Sequence, residues 1–281
     1  MRIAFICVNF NNAKLTISYI ESIIKSITYS KTTKSLEYQI LIVDNSSKQA
    51  DVNYLENYVS KMENDNVLII KSEKNLGYFK GLNLGIAWAV NNKYTDFQII
   101  GNNDLEFAED FLEKLISLNV TANVLVLAPN IIRVDGVHQN PHIIKKFNFI
   151  QRIYRRIYFT NYYFANVLQY IYNILKKISK FEDRKNDQDK IEILMGYGAC
   201  YVLTNNFFKY YNQLHAPNFL MGEEGVLANQ VKVVNGIMLY YSQILVKHLD
   251  HSSISKVGNK KLYDYSKDSY KYYLKFLKYV Q

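Results

Sequence analysis

The amino-acid sequence predicts an α/β fold in which a Rossmann-like, mostly parallel central sheet is flanked by helices. Short apolar runs typical of buried strands alternate with helical patterns through the first half of the chain, and acidic or amide residues follow several of these runs. The 281 residues are 49% hydrophobic, with 3 prolines and 11 glycines. Such a chain can bury a sizeable core, and this composition argues against global disorder.

The elements of the first half follow in a regular order. Strands are predicted at residues 3–8, 39–43, 67–70, 97–100 and 124–128, where each run is short and apolar. Helices are predicted at about residues 13–28, 52–62, 79–92 and 108–118; in the first, Ile20, Ile23 and Ile27 share one face. This β-α-β order is typical of nucleotide-binding sheets.

The composition changes after residue 140. Residues 141–180 contain eight lysines and arginines, interleaved with Tyr and Phe, and no acid. The strand pattern resumes at residues 193–204, and a Lys/Tyr-rich helical pattern begins at Lys260. We therefore expect one domain that is interrupted at residues 141–190 by a basic-aromatic helical insertion and ends in an amphipathic packing helix.

Charge and cysteine content limit the class of protein. Lys+Arg 34 against Asp+Glu 25 gives a net charge of +9, which favours an anionic partner: a nucleotide phosphate, a nucleic acid or a membrane surface. Cys7 and Cys200 lie in apolar runs and are interpreted as core thiols of a reducing compartment. No secretory leader and no apolar run of about 20 residues is visible, so we expect a soluble or peripheral cytoplasmic protein.

The positions of the glycines exclude two kinds of nucleotide site. Dinucleotide and P-loop sites need glycines after the first strand so that the backbone can approach the phosphates, but the first glycine here is Gly77. If this sheet binds a nucleotide, a metal ion is the natural candidate to neutralise the phosphates. Asp104 follows the strand at 97–100, and Asp44 follows the strand at 39–43. Carboxylates at this edge suit Mg²⁺ or Mn²⁺, although Asn and Asp also favour simple turns.

Five motifs in a fixed order resemble those of family 2 glycosyltransferases with the GT-A fold, and of their rhamnosyltransferase-like and galactosyltransferase-like branch. They are Asn9 to Asn12, Asp44 to Ser47, Asn75 to Ile86, the Asn102-Asn103-Asp104 variant of an acidic motif, and Glu223-Glu224 followed by His248 and His251. The resemblance covers about residues 3–255 without the insertion. It implies a nucleotide-sugar-binding half at 1–140 and an acceptor-side half at 191–281.

The resemblance also implies roles for individual residues. Asn9 and Asn11 would line the nucleobase pocket, with Asp44 on the base or ribose. The sugar and phosphate floor would be formed by Asn75, Gly77, Lys80 and Asn83, and Asn102 would support the ribose or a metal-bound water. Asp104 and His248 would hold Mg²⁺ or Mn²⁺, Gly196, Tyr197, Gly198 and Ala199 would adjoin the acceptor, and Glu224 or Glu223 would be the catalytic base.

Two departures from the family pattern weaken the base assignment. The family often has a further acid where this chain has Val226, and its base is usually Asp rather than Glu. Each site residue also has a simpler interpretation. Asp44 could cap a turn, Glu223 and Glu224 could favour a helix N-terminus by their charge, and His248 could be solvated.

The expected function is an inverting, metal-dependent transfer of a sugar from a UDP- or dTDP-type donor to a saccharide acceptor. A lipid-linked acceptor for bacterial capsule or O-antigen would suit this function, and no nucleic-acid partner is expected. The alternatives are a sugar nucleotidyltransferase and a non-enzymatic basic protein that binds membrane surfaces.

In the insertion, Ile150, Ile153 and Ile157 form one helical stripe, whereas Arg152 and the neighbouring arginines lie in another sector. We interpret this as a segment docked on an anionic inner membrane face; the alternative is packing on the domain.

Overall fold

A computed structural model of the protein describes residues 1–30, 36–145, 147–178, 188–249 and 258–279. In these ranges nine strands form one sheet: β1 (Arg2–Asn9), β2 (Glu37–Asp44), β3 (Val67–Lys71), β4 (Phe97–Asn102), β5 (Leu105–Phe107), β6 (Val124–Arg133), β7 (Lys190–Ile193), β8 (Cys200–Thr204) and β9 (Ile237–His248). The α-helices are α1 (Ala13–Tyr29), α2 (Gln49–Lys61), α3 (Tyr78–Asn91), α4 (Phe111–Ile116), α5 (Phe149–Tyr158), α6 (Tyr162–Ile178), α7 (Glu223–Val233) and α8 (Asn259–Tyr279).

The strands are ordered β3-β2-β1-β4-β8-β6-β9-β5, with β7 also pairing with β9. The pairs among β1, β2, β3 and β4 are parallel, as predicted, and β6 is parallel to β9. The second half of the sheet differs from a mostly parallel arrangement, because β8 runs antiparallel to β4 and β6. Cys200, which begins β8, pairs with Gly101 at the carboxyl end of β4. The chain therefore enters β8 at that edge and can only run back along β4.

The core lies on both faces of the sheet, which explains why its strands are continuously apolar. Along β1, Ile3 and Phe5 pack into one cluster with α1 and α4, and Ala4 and Ile6 pack into a second cluster with α3. A Cβ placed on Gly85 would lie 2.4 Å from Ile6 Cγ2, so this glycine lets α3 approach β1. The predicted core positions of both cysteines are confirmed, since each is fully buried.

The sheet brings distant polar residues to one edge. Register pairs Asn9 with Asp44 across β1 and β2, and Val8 with Asn102 across β1 and β4. At the far side β5 pairs with β9, so that Leu105 lies opposite His248. The carboxyl ends of β1, β2, β4 and β9 therefore surround one region, where open α/β sheets place ligands.

The insertion and the last helix lie outside the sheet. The ring of Phe159, just after α5, stacks on Tyr270 of α8 with centroids 4.5 Å apart, and the Tyr263 hydroxyl donates to the Tyr158 carbonyl. α8 also packs along α7, which confirms the predicted packing helix. Among the helices of the described residues, we find none with the length and apolar content needed to cross a membrane.

Candidate active site

The centre of the site is a buried pair, Asp104 and His248. Asp104 lies in the turn between β4 and β5, and His248 is the last residue of β9. Their Oδ1 and Nε2 atoms are 3.3 Å apart, and the side chains are 2% and 3% exposed. The Leu249 amide donates to the Asp104 carbonyl over 2.9 Å, which fixes the end of β9 against this turn. The solvated interpretation of His248 is therefore wrong, because β5 pairing buries the end of β9.

The hydrogen bonds of His248 determine its tautomer. Its Nδ1 lies 2.8 Å from Gln139 Oε1, and an amide oxygen only accepts, so Nδ1 carries the proton. In a neutral imidazole Nε2 is then the nitrogen with a free lone pair, and Asn102 Nδ2 lies 3.5 Å from it. Gln139 had no recognisable sequence signal, yet it orients the imidazole as the outer partners of metal-binding histidines do.

The donor set fits a divalent cation. A carboxylate oxygen and an imidazole lone pair 3.3 Å apart can both bind one ion at bond lengths of about 2.1 Å. Within the described residues no group of three or more His, Cys, Asp and Glu side chains forms a metal cage. Two protein ligands are sufficient for an ion of the Mg²⁺ type, which keeps its other positions for water and substrate phosphates. His251, the second histidine of the motif, lies outside the described residues.

Asn9 does not line a pocket as predicted. Its side chain is fully buried, and its amide nitrogen lies 2.9 Å from both Asp44 Oδ1 and Asp51 Oδ2. Its amide oxygen accepts from the Thr16 hydroxyl. Asp51 also accepts from the Ala13 amide and thereby caps α1, a role that had no sequence signal. Asn9 is thus a positioning residue for Asp44, because its hydrogen-bonding groups are engaged inside the protein.

Asp44 caps a turn, as its simpler interpretation proposed. Its Oδ2 accepts from the Ser47 amide over 3.1 Å, and its Oδ1 accepts from Asn9. Asn11, at φ 54°, accepts from the Lys48 amide and is partly exposed. A carboxylate has about four lone-pair positions, and these two bonds use two of them, so Asp44 has capacity for a further donor. The cap and a nucleobase contact are therefore compatible.

Asn45 organises the loop before α3, a role that sequence reasoning missed. Its Nδ2 donates to Asn75 Oδ1 and to the Gly77 carbonyl, and its Oδ1 accepts from Leu76. Gly77 has φ 84°, and a Cβ there would lie 1.9 Å from the Phe219 carbonyl oxygen. Asn75 and Gly77 consequently fix this loop against the segment that leads to Glu223.

Lys80 and Asn83 do not join the other predicted nucleotide residues. Asn83 exchanges two hydrogen bonds with the backbone of Leu214, at 2.9 and 2.8 Å. Both residues line a cavity of about 580 Å³ with residues 213–217, α7 and Tyr272, and no other predicted site residue lines it. Gly81 and Gly85 of α3 contact the sheet, whereas Lys80 and Asn83 occupy other positions around the helix and are not directed at the sheet. The floor role predicted for Asn83 is not supported, and Lys80 is not placed with Asp104.

The paired acids begin α7. Gly222 precedes them with φ 80°, and a Cβ there would lie 2.4 Å from Ser269 Cβ in α8. Glu223 is 8% exposed, and its buried Oε1 has no hydrogen-bond partner among the residues that the structure describes. Burial, followed by repulsion from Glu224, raises the pKa of Glu223 to about 8. Glu224 is more exposed than Glu223, and burial raises its pKa as well, while a bond from the Gly198 backbone opposes that rise.

The turn at residues 196–199 lies between the paired acids of α7 and the buried pair Asp104 and His248. A Cβ on Gly198 would lie 2.6 Å from Glu224 Oε1, and the Ala199 carbonyl accepts from the Asn102 amide over 2.9 Å. The ring of Tyr197 lies 6.3 Å from that of His248. A side chain at position 198 would displace the Glu224 carboxylate from its present position, and the turn lies between the two parts of the site.

Tyr78, the first residue of α3, links that helix to the 196–199 turn. Its hydroxyl donates to the Gly198 carbonyl over 3.0 Å. Its pKa is raised. Burial makes the largest contribution, and smaller contributions come from Glu223, Cys200, Asp104 and Glu224. The structure therefore brings together Asp104, His248, Asn102, the 196–199 turn and the paired acids, as the sequence predicted for the centre of the site.

The raised pKa of Glu223 predicts a pH-dependent stability. Its folded pKa lies near 8 and its ordinary value is 4.5, so its ionisation opposes folding. The contribution of its protonated form is complete below pH 4.5 and is lost as the pH rises toward 8. We expect the melting temperature of Glu223→Gln minus that of the parent to increase from pH 5 to pH 8 and to stay constant at higher pH. Thermal melts across this range measure it; parallel profiles for the two proteins would contradict the assignment.

Comparison with known proteins gives the family. Residues 5–201 match the sequence profile described as Glycosyl transferase family 2. The chain belongs to this family. A relative, the low-salt glycan biosynthesis hexosyltransferase Agl10 of Haloferax volcanii, is 27% identical over 112 residues, which is 40% of this chain and 34% of that protein.

Solved structures show that this family 2 chain has the GT-A fold. GalNAc-T7 with UDP, GalNAc and Mn²⁺ has a TM-score of 0.62 at 14% identity, covering 99% of this chain and 48% of that one. Mannosyltransferase PcManGT of Pyrobaculum calidifontis, in complex with GDP-Man and Mn²⁺, has a TM-score of 0.55 at 10% identity, covering 90% and 58%. S. aureus TarS 1–349 with UDP-GlcNAc has a TM-score of 0.56 at 13% identity, covering 92% and 62%. The chain thus spans about a third of the curated relative and about half to three-fifths of these structures.

Proposed function

We propose that this family 2 chain is an inverting glycosyltransferase that moves a sugar from a UDP- or dTDP-type donor to a saccharide acceptor, with Mg²⁺ or Mn²⁺. The observation that carries the proposal is the joining of Asp104 and His248 to Glu224 through the 196–199 turn. A cation-binding pair and a partly exposed acid at one sheet edge suit a reaction with an anionic leaving group and a hydroxyl nucleophile. The Mn²⁺ and nucleotide sugars in the titles of the structural neighbours support the same chemistry.

The donor would bind along the ends of β1, β2 and β4. Asp44 accepts a hydrogen bond from the base, and Asn11 borders this contact from the first loop. Asp104 and His248 would hold the divalent cation, which would supply positive charge for the leaving diphosphate. Because both ligands are almost fully buried, the charge of a cation held there would act on the phosphates with little screening by water.

The acceptor would approach from the turn at 196–199. Its hydroxyl oxygen forms a bond to the anomeric carbon while the bond from that carbon to the diphosphate oxygen breaks. The proton passes to the Glu224 carboxylate, and the electron pair leaves with the nucleoside diphosphate. Glu224 is favoured over Glu223 as the base because it contacts the Gly198 turn and is the more exposed of the two. Glu223 raises the proton affinity of the pair.

Product analysis tests the proposed function. The protein is incubated with UDP- and dTDP-sugars, with Mn²⁺ or with a chelator, and the released nucleotide is identified. Release of nucleoside diphosphate that requires the metal supports glycosyl transfer. A parallel incubation contains a nucleoside triphosphate and a sugar phosphate instead. Release of pyrophosphate there would indicate a nucleotidyltransferase. If none of these donors reacts, the binding-protein alternative stands.

We further propose a lipid-linked acceptor in the synthesis of a bacterial capsule or O-antigen, at the cytoplasmic face of the plasma membrane. The basic-aromatic insertion supports this placement, because it gives the enzyme a surface suited to anionic lipid. The glycan-biosynthesis name of the curated relative is in accord with a polysaccharide pathway.

A further inference from the structure

Helices α5 and α6 expose apolar side chains that a stable helix would normally bury. We call this set the outward face: Phe149, Ile150, Ile153, Tyr154 and Ile157 of α5, with Tyr163, Phe164, Val167, Tyr170 and Ile171 of α6. These side chains are between 36% and 76% exposed, and α5 contains no buried residue at all. Exposed apolar stripes of this kind, one on each helix, mark an interaction site.

The orientation of α5 is the reverse of that expected for a helix packed on a soluble domain. Two of its three arginines are partly covered and contact Phe147, just before the helix: Arg152 Nε donates to the Phe147 carbonyl over 3.1 Å, and the Arg155 guanidinium lies 4.3 Å above the Phe147 ring. The isoleucines consequently face solvent. The prediction that the two stripes occupy different sectors is confirmed, and the alternative that the apolar stripe of α5 packs on the domain is wrong.

We propose that the outward face docks this protein on an anionic membrane surface. Residues 141–180 carry eight cations and no carboxylate, so any charge that this segment itself contributes beside the apolar face is positive. Lys145 and Arg156 are exposed beside it. Tyrosine and phenylalanine among cations favour the interface between lipid headgroups and acyl chains. A second copy of the chain is a poorer occupant, because a two-fold contact at this face would bring the two sets of cations together.

The docking surface adjoins the acid-bearing loop through α8. Tyr270 stacks on Phe159 of the insertion. The hydroxyl of its neighbour Ser269 accepts a hydrogen bond from Asn218 and donates one to the Met221 carbonyl. Gly222 packs on the same serine. Two consecutive residues of one helix thus contact both the insertion and the loop before Glu223. If the proposed function holds, docking would present a lipid-linked acceptor on the acid side of the site.

Vesicle flotation tests the docking. The full chain is mixed with vesicles of phosphatidylcholine alone or with increasing phosphatidylglycerol, at low and high salt. We expect flotation only with phosphatidylglycerol, weakened by salt. The double variant Ile150→Glu/Ile153→Glu should lose about tenfold or more in vesicle affinity, because two exposed apolar side chains no longer enter the lipid. Lys145→Gln/Arg156→Gln should lose the dependence on phosphatidylglycerol.

Matched controls and a second measurement separate the outcomes. Tyr54→Glu and Lys25→Gln change exposed residues of α2 and α1 and should float like the parent. Equal flotation of the Ile150/Ile153 variant and the parent, or no flotation on anionic vesicles, overturns the proposal. So does a parent that sediments as a dimer and becomes a monomer on the same substitutions. Donor hydrolysis is followed in parallel; its absence with flotation intact refutes the proposed function and leaves the docking standing.

Discussion

Asp104→Asn should abolish the enhancement of nucleoside-diphosphate binding by Mn²⁺. The substitution keeps the size of a side chain that is 2% exposed, so the fold should persist, but it removes the charge that pairs with the cation. We expect the affinity for UDP or dTDP in the presence of Mn²⁺ to fall by about 10²-fold or more, toward its metal-free value. Titration calorimetry with and without Mn²⁺ measures the effect.

An exposed aspartate provides the control for this experiment. Asp110 forms a surface ion pair with Lys114 and is not a predicted ligand, so Asp110→Asn makes the same chemical change outside the proposed site. This variant should bind donor and metal like the parent. Metal-enhanced binding that survives Asp104→Asn unchanged would refute the cation site at Asp104 and His248.

Glu224→Gln should reduce turnover by about 10²-fold or more while donor affinity changes little, since the lost step is the proton transfer from the acceptor. Gln keeps the contact with the Gly198 turn but cannot take a proton. Initial rates at saturating donor give the turnover, and calorimetry gives the donor affinity. The conservative control is Glu223→Gln, which should have the milder effect.

The comparison of the two glutamates locates the base. If Glu223→Gln has the larger effect, the base is Glu223 and the mechanism stands with the adjacent acid. If neither substitution changes turnover, the assignment of the paired acids is wrong. Glu224→Gln in a donor-hydrolysis assay adds a further check, because water can replace the acceptor there without a precisely placed sugar hydroxyl.

Local pattern was sufficient to predict the elements that build the first half of the fold. Strands β1 to β4 and helices α1 and α3 lie within a few residues of their predicted positions, because apolar periodicity is set by burial on the sheet. The edge positions of Asp44, Asn102 and Asp104 follow directly, since parallel strands end at the same side.

The sequence could not reveal which partners the individual asparagine side chains bind. Asn9 and Asn83 carry the same functional group as Asn11, yet Asn9 is fully buried against Asp44, and Asn83 binds Leu214. These partners lie far along the chain and depend on packing that no local pattern encodes. The antiparallel course of β8 is another long-range property, because it depends on where the chain returns to the sheet after the insertion.

The pairing of β5 with β9 has a consequence for biosynthesis. Asp104 is translated long before His248, and their side chains meet only when β9 aligns beside β5. A nascent chain can therefore form its first four strands on the ribosome without assembling the cation pair. Under the proposed function, a divalent cation and a nucleotide sugar bind only when both residues are in place, so they would selectively stabilise completed molecules and hinder the detachment of β9.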